Sequence, residues 1–330
     1  CSRNSSAVST SSVAAWRADA VIKGHRLEAG ALRECAEPDA TVLWFSQPDA
    51  QERARLLERF QLDDHALASA LDPDEVARIE FHPNGLFMIW KRPENYSGQD
   101  SFCFDVSSFG LLLSHDQMVL ICADDRQLGE LDQHRPMQEP LDVLLQVLFN
   151  NIHHYLGHLK VIKLIARELQ QQFNASMDSR HLVQMFNLSE SLVYYINAID
   201  SNGSVLTRLR NHAHKHHFSS DSLALIEDMI IENEQCHKQA NIYSTVFASL
   251  MDARGNLVNN NTNNLLRKLT LINVVFLPLN LLAGIGGMSE YSMMTTPLPW
   301  WISYPALLVG MAGLGTAMVV VLKRMARIRS

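Results

Sequence analysis

The chain has 330 residues, with 28 Lys and Arg against 35 Asp and Glu and a formal net charge of −7. That acidic balance lacks the electrostatic footprint of nucleic-acid binding, so no nucleic-acid partner is expected. The five cysteines (Cys1, Cys35, Cys103, Cys122 and Cys236) are odd in number and scattered. They show neither disulfide nor metal-ligand spacing, which fits a reducing cytoplasm.

Residues 1–14, CSRNSSAVSTSSVA, are rich in serine and predict a disordered N-terminus, with no signal-peptide pattern. An α/β domain is predicted over 15–125. Within it Thr41–Gln47 reads as a strand, followed by helical stretches at 49–60 and 62–80. Gly85–Trp90 is a second strand entered through the turn Pro83-Asn84-Gly85. Phe102–Leu113 and Gln117–Cys122 form a hairpin turning at Ser114-His115-Asp116.

From Pro140 the texture changes. Leu141, Leu144, Leu145, Leu148, Phe149, Ile152, Leu156, Leu159 and Ile162 recur at steps of three and four, which predicts a long amphipathic helix. A second carries Leu182, Met185, Phe186, Leu192, Val193, Ile196 and Ile199, ending near Asn202-Gly203 or running on to Asn211. The two make an antiparallel extension over 140–217. A third helix starts with Asp221 as N-cap and forms a stalk over 221–270. Apart from Gly255 nothing stops it before Ile285, which makes it about 65 residues and about 100 Å long at 1.5 Å per residue. A helix that long needs partners, and copies of the same chain are the simplest supply.

Two segments are long enough to span a bilayer, 271–288 and 300–322. The first is uncharged, interrupted by Asn273 and Asn280. The second begins with Trp300, Trp301 and Tyr304, rings suited to an interface. Arg267 and Lys268 precede the first span, and Lys323, Arg324, Arg327 and Arg329 lie in the basic tail 323–330. Basic flanks stay inside, so both termini are expected in the cytoplasm of a multi-pass inner-membrane protein. The loop 289–299 then faces outward, with Glu290 as its only charge.

Leu269-Thr270, Phe276-Leu277-Pro278-Leu279, Ala283-Gly284-Ile285 and Gly287-Met288, together with Tyr304-Pro305 and the basic end, resemble the CorA family of divalent-metal channels, which includes the ZntB zinc transporters. The resemblance implies a CorA-like α/β cytoplasmic domain, a helical stalk and two C-terminal transmembrane helices, assembled as a homopentameric funnel in a lipid bilayer. It implies that the first span lines a pore through Asn263, Leu266, Leu269, Leu277, Asn280 and Ser289. The selectivity motif is then Gly287-Met288-Ser289, with Ser289 standing where the family carries asparagine, and Glu290 sits at the outer mouth. A hydroxyl still accepts from metal-bound water but lacks the amide. Polar side chains at both ends and leucines between them suit a pore that gates by dewetting.

In the family pattern, cytoplasmic carboxylates bind metal and hold the channel shut. Asp228 and Asp252 fall on those positions, with Glu94, Asp100 and Asp105 as candidate partner acids. A pore of amides and hydroxyls suits an ion that keeps its water, which favours Mg²⁺, with Co²⁺ and Ni²⁺ as hydrated mimics. Zinc prefers His or Cys, and neither occurs from Asp252 to Ser330. A ZntB-like Zn²⁺ transporter is the alternative within transport. A non-conducting membrane-anchored metal sensor or scaffold is the alternative outside it. No resident cofactor is expected beyond the transported or regulatory metal. Nor is an enzyme expected, since no phosphate loop and no Ser/His/Asp or Cys/His constellation is readable. The run His212, His214, His216 and His217 reads as a solvated turn between helices, with a zinc or nickel site including Cys236 and His237 as the other reading. His153, His154 and His158 lie on a helix.

Overall fold

The computed structural model describes residues 22–28, 30–83, 85–94, 102–124, 137–175, 179–215, 218–294, 296–297 and 299–328. The serine-rich stretch 1–14, Asp100, His216, His217 and Arg329 lie outside them. The chain divides into two bodies between Met251 and Asp252.

The first body is built on seven strands: β1 (Ile22–Glu28), β2 (Ala31–Cys35), β3 (Val42–Ser46), β4 (Arg78–His82), β5 (Gly85–Pro93), β6 (Val106–Ser114) and β7 (Met118–Cys122). Their order in the sheet is β2-β1-β3-β7-β6-β5-β4. Every pairing is antiparallel except β3 with β7. Two short helices, α1 (Ala50–Phe60) and α2 (Asp64–Ala70), follow β3. Asp49 caps α1 by accepting from Gln51 and Glu52, and Glu52 accepts from the Asp49 amide in return, a capping box.

Successive side chains of a strand point to opposite faces, and here both faces are buried. Leu43, Phe45, Phe87, Ile89, Leu112, Val119 and Ile121 pack with Leu56, Ala66, Leu67 and Ala70 of α1 and α2. Val42, Trp44, Met88, Trp90, Phe109, Leu111, Met118 and Leu120 face the helices that follow. Gly110 lets α2 settle on β6: a Cβ there would stand 2.5 Å from Ala70 Cβ.

Those helices are α3 (Pro140–Ala175), α4 (Ser179–Lys215) and the start of α5 (Ser220–Gly286). Leu144, Leu148, Ile152, Leu159 and Ile162 of α3, with Met185, Leu192, Tyr195 and Ile199 of α4 and Ile226, Met229, Cys236 and Phe247 of α5, extend the second core. Polar contacts hold the layers in register. Asn202 of α4, fully buried, accepts from the Lys91 amide at 3.0 Å and donates to the Lys91 carbonyl at 2.8 Å. It stands where β4 has run out, since the last β4 pair is Arg78 with Ile89. Asn233 of α5 donates to the Ile199 carbonyl at 2.9 Å. His158 Nδ1 lies 2.6 Å from the Tyr195 hydroxyl.

Several elements differ from the sequence reading. The stretch 62–80 is not one helix: α2 ends at Ala70, Asp72-Pro73 breaks it, and Arg78–His82 pairs with β5 as β4. Strands β1 and β2 have no counterpart in that reading. Helix α4 passes through Asn202-Gly203 and Asn211 to Lys215, because Asn202 bonds the sheet and Gly203 comes close to the Asn233 amide. The cap of α5 is Ser219, whose hydroxyl accepts from the Ser222 amide at 3.1 Å, so Asp221 lies inside the first turn. From there α5 runs for 67 residues without interruption.

The second body holds the end of α5, a short helix α6 (Ser289–Met294) and α7 (Trp300–Ile328). The segment 289–299 is therefore partly helical rather than an open loop. Pro278 lies within α5 and Pro305 within α7.

Candidate functional site

Two stretches, within α5 and over Trp301–Leu322, are long and apolar enough to cross a membrane, and almost none of either apolar window is buried within the chain. Exposed apolar side chains in such numbers, among them Phe276, Leu281, Leu308 and Val309, do not suit water. They suit lipid or a partner helix.

The α5 residues in this body fall into two faces. Leu279 reaches Gly315 of α7, and Leu307 of α7 reaches Gly286. Val275 and Leu279 also line a groove of about 600 Å³ together with Leu308, Met311, Ala312 and Gly315. That is the face covered by α7. Asn263, Leu266, Leu269, Leu277 and Asn280 are all exposed, Leu277 at 70%. At about 100° per residue, Leu277 lies roughly 180° and Asn280 roughly 120° around the helix from Gly286. Leu266, roughly 160° around, falls in the same sector, with Leu269 at roughly 100° and, in the opposite sense, Asn263 at roughly 140° at its two edges. The five residues thus share the side turned away from α7.

Helix α5 loosens at its end. The Gly287 amide donates to Ala283 and Gly284 carbonyls at 3.1 and 3.2 Å, and the Met288 amide to Ile285 at 3.2 Å. Met288 and Ser289 are exposed, and Ser289 opens α6. Glu290 lies in α6, and its side chain is outside the described residues.

Among the described residues, the acids expected to regulate lie at separate places in the chain. Asp228 is exposed on α5 and lines a cleft of about 590 Å³ with Gln146, Phe149 and Glu232. Glu94 and Asp105 meet elsewhere, the Glu94 amide donating to the Asp105 carbonyl at 2.9 Å; burial first, then the two carboxylates, raises the pKa of the Tyr195 hydroxyl. Asp252 is exposed at the start of the second body. Among the described residues no group of three or more His, Cys, Asp or Glu is placed to hold a metal.

His212 and His214 lie in the last turn of α4 rather than in a solvated turn between helices, because α4 continues to Lys215. His212 stacks on Phe81 with ring centroids 3.9 Å apart, and His214 is exposed. Cys236 is fully buried beside the Ile152 carbonyl, and burial pushes its thiol up to about 12, which leaves it protonated. His153 packs on Phe149 and lies 3.3 Å from Glu232. His158 sits edge-on to His154, and burial first, then His154, lowers its pKa to about 4. The Asn202 clamp was missed in the sequence, where the Asn-Gly pair reads as a stop. The Gly286–Leu307 contact was missed too, because it joins residues distant in sequence.

Comparison with known proteins agrees with this architecture. The CorA magnesium transporter of Methanocaldococcus jannaschii superposes with a TM-score of 0.73 at 18% identity, covering 93% of this chain and 98% of that one. In sequence, the cobalt/magnesium transport protein CorA of the same organism is 22% identical over 293 residues, 84% of this chain and 90% of that protein. The full-length CmaX protein superposes with a TM-score of 0.72 at 15% identity, covering 94% and 99%. The ZntB cytoplasmic domain from Vibrio parahaemolyticus RIMD 2210633 gives 0.57 at 12% identity, covering 72% and 98%. The family model for the CorA-like Mg²⁺ transporter protein matches residues 39–324. The chain, with its N-terminal α/β body, its long helix and its two C-terminal apolar stretches, belongs to the CorA family of transporters.

Proposed function

We propose that several copies of this chain, five by the family resemblance, form a membrane channel that passes hydrated divalent cations, with Mg²⁺ foremost and Co²⁺ or Ni²⁺ as mimics. One observation carries the reading. Asn263, Leu266, Leu269, Leu277 and Asn280 share the side of α5 that α7 leaves bare. An uncovered asparagine in an apolar span faces a polar partner or water, because an amide in hydrocarbon is costly. When copies gather on that side, Asn280 contributes amides to the axis and Leu277, Leu269 and Leu266 form apolar rings that close by dewetting. Beyond the helix end, Ser289 supplies a ring of hydroxyls, and Glu290 draws cations to the mouth. Magnesium sheds its water reluctantly, so a site offering hydrogen bonds to bound water suits it.

The termini then lie in the cytoplasm and the chain works in transport rather than catalysis. Asp228 and Asp252 act as regulatory acids whose partners come from a neighbouring copy. Mg²⁺ uptake into liposomes holding the full chain, compared with Asn280→Leu, tests the reading. Uptake falls when the amide is removed; equal uptake by both proteins refutes it. Competition between Zn²⁺ and Mg²⁺ in the same assay separates the ZntB-like alternative, which the absence of His and Cys from 252–330 disfavours.

A further inference from the structure

Between Asp252 and Ile328 only two described residues are buried, Gly286 at the end of α5 and Ser303 in α7. Leu307 lies one turn beyond Ser303, on the same face of α7. Its Cδ2 occupies the notch left by Gly286: a Cβ on Gly286 would stand 2.4 Å from that methyl. Two turns along, the arrangement is reversed and looser, Leu279 of α5 meeting Gly315 of α7 where a Cβ would stand 3.4 Å away. Of the glycine notches in this body, the tightest is thus at the end of α5. Three residues later comes Ser289, across a stretch where the backbone ladder is loosening.

We propose that Leu307, seated in the Gly286 notch, is a positioning residue that fixes where the end of α5, and with it the Ser289 hydroxyl, stands in the pore mouth. The inference rests on the channel reading above. Its physical content is that a close-packed knob allows one arrangement of its hole, whereas an empty or overfilled hole allows several. Leu307→Ala empties the notch. Gly286→Ala displaces the leucine methyl from it. Both release the same constraint, so together they cost no more than either alone.

The test reads the geometry of the mouth rather than folding. In the full chain carrying Ser289→Cys, reconstituted in liposomes, a ring of thiols at the mouth binds Cd²⁺ and blocks Mg²⁺ uptake, because thiolates hold soft ions. Block is measured against the chain with Ser289 to subtract the native cysteines. Adding Leu307→Ala or Gly286→Ala raises the half-blocking Cd²⁺ concentration by about tenfold, and the pair together by no more. Gly315→Ala leaves it within about twofold, since its methyl meets Leu279 at ordinary contact distance. Leu307→Val, which keeps most of the side chain, gives an intermediate shift and serves if the alanine variant does not assemble. A half-blocking concentration unmoved by Leu307→Ala or Leu307→Val, or additive effects of the pair, overturns the role of Leu307 and leaves the channel reading intact. Uptake by Ser289→Cys that Cd²⁺ does not block in excess removes Ser289 from the mouth, and the channel reading at that position falls with it.

Discussion

Replacing Asn202 tests how the helical layer is locked to the sheet. Its amide satisfies both backbone groups of Lys91 on the side that β4 no longer covers, at 3.0 and 2.8 Å in a fully buried setting. Asn202→Leu keeps the volume, excludes water and orphans one buried N–H and one buried C=O. At about 1–3 kcal/mol for each unsatisfied group, the loss is about 2–6 kcal/mol. Asn202→Ala leaves room for a water that bonds Lys91 in part, so it costs less. The order in stability is then wild type, Ala, Leu. Hydrogen exchange of the full-length protein in detergent reads the effect at its source. A local loss of about 3 kcal/mol speeds exchange of the Lys91 amide by roughly a hundredfold, while amides of β7 change less. Exchange at Lys91 that changes less than about threefold in Asn202→Leu, or an alanine variant weaker than the leucine one, would refute the argument.

Further outcomes follow from the same geometry. His158 has its pKa lowered to about 4 in the fold, mainly by burial, whereas the unfolded chain takes the proton near 6.5. Between those values the unfolded state binds more protons, so stability falls as pH drops from 6.5 toward 4 and levels off below. The groups facing it are His154, Tyr195 and Phe104. The drop in thermal midpoint across that window is smaller in His158→Gln; an equal drop in both proteins removes His158 as its source. If Asp228 and Asp252 are the regulatory acids, Asp228→Asn with Asp252→Asn keeps liposome uptake high when Mg²⁺ is raised on the side of the soluble body. Uptake that still shuts off as in the unsubstituted chain refutes that assignment.

How much was legible in the sequence depended on how local each signal was. The interior strands β3, β5 and β7 carry dense apolar runs, such as Leu86–Trp90, and were read within a few residues of their ends. Strands β1 and β2, the outer hairpin at the β2 edge of the sheet, were not. IKGHRLE and ALREC mix Lys, Arg, Glu and Gly with few apolar residues, as strands with partly exposed faces do. Strand β4 was hidden by reading helix across Asp72-Pro73. The alternation of Ile79 and Phe81 with Arg78, Glu80 and His82 was the available signal for it. The family signature lay in local stretches, Leu269 to Met288 with Tyr304-Pro305 and the basic end, and it led to the architecture of the whole chain. The seat of Leu307 depends on two helices meeting, and no spacing within either one reveals that.

The second core of the soluble body closes late in the chain. Its last fully buried side chain among the described residues is Phe247, and the first apolar span begins 24 residues later, at Leu271. At about 5–20 residues per second, synthesis crosses that gap in roughly one to five seconds. A sheet with non-local pairings such as β3 with β7 folds in milliseconds to seconds, so that interval is what the nascent body has to hide Trp90, Tyr155 and Tyr195 before a membrane-seeking segment leaves the ribosome. A sheet mutant that folds more slowly than this interval would meet the insertion machinery with its core still open. Loss of function in such a mutant would then register as failed delivery to the bilayer, with the side chains of the two apolar spans untouched.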